Sequence, residues 1–552
     1  MPNKSVARED SPGRSGLILA SGTMVSRLLG FFAAILLART LGTTGDGADA
    51  FALANQLPNN IYALIAGGIL TAILVPQVVA ASASPDGGQA FVNKIVTLGA
   101  TLFLGIAVLA TLAAPLLVGL YAQSGQRGFS PEALQLAIVL AYWCLPQILF
   151  YALYSLLSEV LNARKVFGPF TWAPVVNNLI FIAGLVVFTS LYDGVAVTDA
   201  SRWSGSMVGT LGGFATAGIA LQAAVLVLFW KRTGLGFRPD FRWRGVGLHA
   251  TGKQAAWLFG MILLTQLAGI VQANIASLAT ADGEAGLAIL RFSWLVFMLP
   301  HSVITVSLAT AYFTRMATHV RDGDTPSLVS DLLAVIGRVG FFVVLAQAGL
   351  LAVALPFARV FTDSSADVPR MALVLACYSA GLIPFTLVFL LQRAFFANDD
   401  TKRPFALQLI HTTVFLAGSV LLLRVETPWL AAGIALATSS AALVQALVGS
   451  WWLSRRVSGL TVSALLTPLL PFLGAGIVSL GGGVGVLWLL GGLSASGFAR
   501  VTTAGALSSI GLIATVMIAL YVLVLLLLRN HHLAEVGGGV VRVVRRVLPG
   551  RE

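Results

Sequence analysis

Charge is what this sequence lacks most. Only 10% of its 552 residues are Asp, Glu, Lys or Arg, where a soluble domain carries about 25%. So few charges cannot cover a water-facing surface, which excludes an ordinary soluble enzyme, a disordered protein and a nucleic-acid binder. Cysteine is nearly absent too. Cys144 and Cys377 are the two, both inside apolar stretches, so there is neither a disulfide framework nor metal-ligand spacing, and both read as small buried hydrophobes. The phosphate-cradling Gly-x-x-x-x-Gly-Lys-Ser/Thr loop is missing, which argues against intrinsic use of ATP. No Asp or Glu is expected deep inside an apolar run: Glu159 falls near one end of its run and Glu426 in a short loop. A sodium or proton site built on a buried carboxylate is therefore not expected. No nucleophile and base gather at one end of the apolar runs, so no catalytic residue, cofactor or metal is expected and the chain is not read as an enzyme.

Hydrophobic residues are abundant, at 57% of the chain with a mean hydropathy of +0.89. A membrane crossing takes about 20 apolar residues. Fourteen runs qualify: 16–40, 50–80, 92–121, 133–161, 168–192, 206–230, 252–280, 286–314, 329–357, 370–396, 404–424, 428–453, 464–491 and 501–528. The expected fold is an all-α polytopic membrane protein. The first run is too long for the core of a signal peptide and is expected to stay in the protein. Pro58, Pro146, Pro174, Pro300 and Pro384 fall inside runs. Each costs a backbone hydrogen bond, tolerable in a membrane where neighbours or a wet cavity satisfy the freed carbonyl.

The net charge is +12, and the basic residues sit in the connections. The loop over 231–253 holds Lys231, Arg232, Arg238, Arg242, Arg244 and Lys253, and the C-terminal tail holds Arg542, Arg545 and Arg546. With fourteen crossings both termini share a side, and the Lys and Arg excess on that side predicts that both are cytoplasmic.

An internal repeat organises the runs. Leu145-Pro146, Asn162-Ala163-Arg164-Lys165 and Gly168-Pro169-Phe170 around the fourth run match Ile383-Pro384, Ala397-Asn398 and Lys402-Arg403-Pro404-Phe405 around the tenth. Leu57-Pro58-Asn59-Asn60 in the second matches Leu299-Pro300-His301-Ser302 in the eighth. The prolines are offset by 238 and 242 residues. Two pseudo-symmetric six-helix lobes follow, with two helices appended. The expected parts are a tail at 1–15, a first lobe at 16–231, a basic loop at 232–251, a second lobe at 252–454, a final helix pair at 463–528 and a basic tail at 529–552. Six is an even number, so the lobes point the same way. Transporters place substrate at such a repeat interface.

Polar residues inside the runs are the candidate site. Arg27 lies about 16 Å along the first run, between Met24-Val25 and Leu28-Leu29. An arginine there costs about 2.5–3.5 kcal/mol to insert, and its fork suits a phosphate. Holding carbonyls of a broken helix would be the structural alternative. Arg39 ends the first run near Asp46 and Asp49. Arg291 opens the eighth run behind Asp282 and Glu284. Asn55, Gln56, Asn59, Asn60, Asn177, Asn178, Gln266, Gln272 and Asn274 can wet a cavity, bind sugar hydroxyls or join helices. His301 follows Pro300, and a lone histidine there is more often a packing residue than a proton relay.

The sequence resembles the MviN/MurJ family of lipid II flippases, within the multidrug/oligosaccharidyl-lipid/polysaccharide exporter superfamily, over essentially the whole chain. The similar stretches are Ser21 to Gly30 (SGTMVSRLLG), Asp49-Ala50-Phe51, Leu57-Pro58-Asn59 with Val75-Pro76, Leu161 to Asn178 (LNARKVFGPFTWAPVVNN), Leu299 to Leu308 (LPHSVITVSL) and Asp400 to Phe405 (DTKRPF). The resemblance implies fourteen helices, two lobes in a V around a cationic cavity, and a groove on the last two helices for a polyprenyl tail. It also implies outward movement of the lipid-linked disaccharide-pentapeptide by alternating access. Arg27 matches the family's first cavity arginine, and Asp49 its acid before Ala-Phe. The second arginine falls on Ala33 and the next pair on Tyr62 and Ala63. The eighth-run arginine falls near Leu295, with Arg291 one turn earlier. The sodium-site acid known in parts of the family has no counterpart in the seventh run.

The expected substrate-binding residues are therefore Arg27, Arg39, Asp49, Asn55, Asn59, Asn60, Arg291 and His301, with Asn177, Asn178, Gln272 and Asn274 as polar lining. The expected partners are lipid II or a related polyprenyl-pyrophosphate saccharide, membrane lipids and cell-wall synthesis proteins, and no nucleic acid. An inside-negative potential favours outward movement of an anion by about 2.3 kcal/mol per charge per 100 mV, which suits a chain without a buried carboxylate. A flippase for another polyprenyl-linked saccharide, a cation-coupled exporter and a non-transporting cell-wall scaffold are the alternatives.

Overall fold

The computed structural model describes residues 12–66, 77–78, 81, 83–123, 128–242, 252–280 and 282–530, with side chains left out at 12–20, 66 and 252–255. The expected tail at 1–15 lies largely outside the described residues. So do the second half of the run at 50–80, Arg244 in the basic loop, and Arg542, Arg545 and Arg546 in the tail at 529–552. The chain forms two compact units, Met1–Gln266 and Leu267–Glu552. The division falls inside a helix, beyond the loop at 232–251 where the sequence suggested it.

Unit 1 contains α1 (Pro12–Leu41), α2 (Asp46–Ala66), α3 (Gln89–Leu112), α4 (Pro131–Ala163), α5 (Phe167–Leu191) and α6 (Gly205–Leu228). The helix α7 (Gly252–Ser277) runs from unit 1 into unit 2. Unit 2 continues with α8 (Leu287–Arg321), α9 (Thr325–Ala352), α10 (Asp367–Ala397), α11 (Lys402–Leu422), α12 (Thr427–Arg456), α13 (Val462–Leu489) and α14 (Thr503–Leu527). Thirteen of the fourteen have a stretch long and apolar enough to cross a membrane. The other is α2, whose sequence continues into residues outside the description. Large apolar side chains lie open on the outer faces, among them Leu116, Ile477, Leu489 and Leu527, as a lipid-facing surface requires.

Helix ends follow local chemistry. Ser130 accepts the Ala133 N–H at the start of α4, with Pro131 in its first turn, and Ser204, Asp324 and Thr502 cap α6, α9 and α14 in the same way. The expected runs at 92–121 and 329–357 are each broken. Helix α3 stops at Ala113 and α9 at Val353, and each is followed by an eight-residue helix, Ala114–Tyr121 or Ala354–Phe361. Pro115 and Pro356 cannot donate to the preceding turn, so the helix must restart there. Ala354 follows Ala114 by 240 residues, between the two proline offsets. The exits of α4 and α10 match too. Lys165 and Asp399 both take positive φ, at 59° and 55°. The next N–H reaches back to Leu161 O or Phe395 O, closing each helix in the same way.

The run expected at 286–314 continues to Arg321. Its second part, Val306–Arg321, follows one turn of π-helix at His301–Thr305. Ser, Thr, Arg and His in this part hid a helix that is apolar on one side only. In unit 2 the final pair packs on α9. Phe341, Val344, Phe472, Ala475, Tyr521 and Leu525 form one cluster, and the Tyr521 hydroxyl donates to Phe341 O at 2.9 Å.

An extended segment crosses the beginning of α3. Gln89, Asn93 and Thr97 lie one turn apart on one face of that helix. Gln89 exchanges two hydrogen bonds with the Gly236 backbone. Asn93 accepts from Arg238 N at 3.2 Å and Thr97 from Asp240 N at 3.0 Å. Four helical residues rise about 6 Å and two extended residues about 6.6 Å, so every second backbone unit meets every helical turn. Asp240 is held down to a pKa of about 2, chiefly by its hydrogen bonds from Arg242.

Candidate functional site: polar groups within the membrane helices

Arg27 sits on α1 beside a seam of small residues. Gly22, Ser26 and Gly30 share one face, and α5 packs on it. A Cβ on Gly22 would stand 2.7 Å from Thr171 and 3.0 Å from Trp172. Asn178 of α5 donates to Ser26 O at 2.8 Å. The seam allows close approach and supplies an interhelical hydrogen bond, which fixes the rotation of α1 about its axis. Arg27 is half-exposed and has no ion-pair or hydrogen-bond partner among the described residues. Arg39, at the far end of α1, is exposed and has an interaction partner.

Helix α2 carries the next group. Asp49 is fully buried within unit 1, while Asn55 and Asn60 are half-buried and Asn59 exposed. Gln56 donates to Asn60 at 3.3 Å, and Asn60 to the Tyr121 hydroxyl at 3.4 Å. Gln147, at the Pro146 break in α4, donates to Thr216 at 3.0 Å and to Asn55 at 3.5 Å. Its Oε1 is buried without a partner among the described residues. Thr216 in turn donates to Trp143 O at 2.6 Å, so a hydroxyl of α6 satisfies a carbonyl of the broken turn. Asn177 lies against Gly218.

Unit 2 repeats the device. At the Ala380-Gly381 break in α10, Ser439 of α12 donates to Cys377 O at 2.7 Å, and Gln347 accepts from Ile383 N at 3.0 Å. The other expected residues of unit 2 are separate. Arg291 is half-buried in α8 with an interaction partner. Gln272 is half-buried, and Asn274 donates to its own helix at Ile270 O, 2.9 Å away. His301 is 3% exposed, in contact with Thr386 at 3.3 Å and edge-on to Phe385 and Phe389.

The family profile described as lipid II flippase MurJ matches residues 37–499. The chain belongs to the lipid II flippase MurJ family. A probable lipid II flippase MurJ of Rhizobium tropici is 28% identical over 470 residues, 81% of this chain and 84% of its own. One of Haemophilus influenzae is 25% identical over 453 residues, 77% and 82%. Among solved structures, a lipid II flippase MurJ in an inward closed conformation superposes with a TM-score of 0.68 at 20% identity, covering 93% of this chain and 99% of its own. An inward-facing multidrug transporter of the MOP superfamily gives 0.54 at 19% identity, covering 82% and 96%. The fold is thus the helical transporter fold of that superfamily, and the chain is a multi-pass membrane protein.

Where the MurJ resemblance expects further arginines, this chain packs its interior. Ala33 is 4% exposed, and the Tyr62 ring meets Phe103 and Tyr151 at about 6 Å, with centroid distances of 6.1 and 5.8 Å. Unit 2 instead holds cations that the sequence reading passed over. Arg338 lies midway along α9 and donates to the Tyr312 hydroxyl. Arg393 lies near the end of α10. Arg315 donates to Asp331 at 2.7 Å. Asp331, two turns inside α9 and near the start of the run at 329–357, is itself buried and also meets His319 at 3.2 Å. Arg338 falls almost as deep in its apolar run as Arg27 does in the first, and that depth was the available signal. Among the described residues no three His, Cys, Asp or Glu side chains gather where a metal could be held.

Proposed function

We propose that this protein moves lipid II from the inner to the outer leaflet of the bacterial plasma membrane by alternating access. Arg27 would hold the pyrophosphate, and the amides of α2 and α5 the sugars. The family match over residues 37–499 carries this reading. Arg27 supports it, because a half-exposed arginine without a protein partner among the described residues, about 16 Å along a membrane helix, has its fork available for an anion. Six helices to a lobe, with the repeat now visible in the helix breaks and exits, suit rocking of two lobes about a shared site. Both termini are assigned to the cytoplasm from the Lys and Arg excess, and the membrane potential is the proposed bias for outward movement. Cell-wall synthesis proteins are proposed partners.

The test is made in cells depleted of the protein. An external enzyme that cleaves lipid II head groups reads the protected fraction. Protected lipid II should accumulate, and be cleared by wild type but not by Arg27→Ala. An unchanged protected fraction on depletion would overturn the reading in favour of another cargo or a scaffold.

A further inference from the structure

The extended segment on α3 alternates in character. Phe237, Pro239 and Phe241 are apolar, and Arg238, Asp240 and Arg242 are charged. Side chains of an extended chain point to opposite faces in turn, so the segment has one apolar and one charged face. Its register is fixed, because the N–H groups of Gly236, Arg238 and Asp240 are all bonded to side chains of α3. A slip of one residue would exchange the two faces. The apolar face is turned outward. Phe237 is 46% and Phe241 64% exposed, and Pro239 is exposed as well.

The segment lies at the rim of the lipid-facing surface. It follows α6, whose last residues, Val227 and Leu228, are both exposed. Between its bonds to Gln89 and Thr97 it runs beside the first two turns of α3, about 12 Å along that helix. Exposed Leu102 and Leu104 of α3 begin little more than a turn further on. Phe241 thus stands close to where lipid-facing leucines begin. Cations prevail around it. Lys231, Arg232, Arg238 and Arg242 are exposed, as is Lys165 at the exit of α4, and Arg232 lies over the Phe229 ring at 4.7 Å. The nearby acids are engaged. Asp240 accepts from Arg242 through both oxygens, and Asp86 accepts from Gly88 N and Ala90 N.

We propose that residues 236–242 form an interfacial strap on anionic phospholipid. Phe237 and Phe241 enter the boundary between head groups and acyl chains, and Lys231, Arg232 and Arg238 meet the lipid phosphates. Charge complementarity and continuity with the exposed apolar ends of α6 and α3 select a bilayer over an acidic protein. Through its bonds to Gln89, Asn93 and Thr97 the strap ties the start of α3 to the leaflet surface. The strap belongs to unit 1 and involves no cargo, so it is independent of the flippase reading.

The experiment uses full-length protein, one copy to a nanodisc, in phosphatidylcholine alone or mixed with phosphatidylglycerol. Trypsin cleavage after Arg242 is timed by mass spectrometry. Wild type should be cut about fivefold more slowly, or slower still, in the mixed membrane. The triple variant Lys231→Gln, Arg232→Gln, Arg238→Gln should keep the wild-type thermal midpoint and lose this lipid dependence. The double variant Phe237→Ser, Phe241→Ser should be cut several-fold faster than wild type in the mixed membrane. Equal wild-type rates in the two membranes overturn the strap. So does a lipid dependence that survives in the triple variant, because the cations would then have no part in it. Protection by inorganic phosphate added to phosphatidylcholine nanodiscs would overturn it in favour of a soluble anion.

Discussion

Asn178 reaches from α5 to the backbone of Ser26, donating to its carbonyl at 2.8 Å, one residue before Arg27. The depth of that arginine is set by the sequence, but its direction is set by this bond and by the small-residue seam. Replacing Asn178 with Leu should cost about 1 kcal/mol of stability and let α1 rotate. The expected outcome is a small fall in thermal midpoint with a large loss of rescue in the depletion assay. Full rescue by Asn178→Leu would separate Arg27 from this support.

The breaks in α4 and α10 are each capped from a helix two further along the chain. Thr216→Val should leave Trp143 O without its hydroxyl, and Ser439→Ala should do the same to Cys377 O. Each should destabilise by about 0.5–2 kcal/mol. The two sites share no partner, so the double variant should lose the sum, read by thermal unfolding in detergent. Gly381→Ala should be worse than either, because its Cβ would stand 2.8 Å from the Ser439 Cα, and backbone cannot yield as a side chain can.

The segment that crosses α3 gives a proteolysis test. Asn93→Ala removes the acceptor for Arg238 N and should loosen the segment on both sides. Trypsin cleavage after Arg242 should become several-fold faster than in wild type, with the membrane helices unchanged. Equal rates would mean that the remaining bonds suffice.

The same segment should be insensitive to pH over the physiological range. The Asp240 pKa is depressed to about 2 from an ordinary carboxylate value near 3.9. Its contribution is therefore complete above about pH 4 and lost only as pH falls towards 2. Tryptic cleavage rates compared after brief incubation at pH 7 and pH 5 should agree. A marked rise at pH 5 would point to a different titrating group.

Of the candidate site, depth was readable and partnership was not. Arg27 stood out because apolar neighbours flank it over many residues, and a single sequence suffices for that. His301 looked equivalent to a cavity residue until Phe385, Phe389 and Thr386, more than eighty residues away, closed around it. Asp49 is similar, being polar in sequence and fully buried in unit 1. Arg338 was passed over because its aromatic partner, Tyr312, lies on another helix, and no spacing along one helix announces a ring on the next. Of the rings against Arg393, Phe389 lies one turn earlier on the same helix and only Phe313 on another.

Hydrophobic run length alone determined the order of the membrane helices and thirteen of the fourteen expected crossings, because each crossing must satisfy its backbone internally and must match the bilayer thickness. Helices restart at Pro115, Pro146, Pro356 and Pro384, whereas Pro58 and Pro174 sit inside unbroken helices. Proline placement alone therefore did not decide the breaks, while the repeat could be read from the matching motifs. Which side of each helix faces protein was decided only by tertiary packing. Rotation about a helix axis leaves every internal hydrogen bond intact, so it is settled by contacts between helices, such as Asn178 on Ser26 and Ser439 on Cys377.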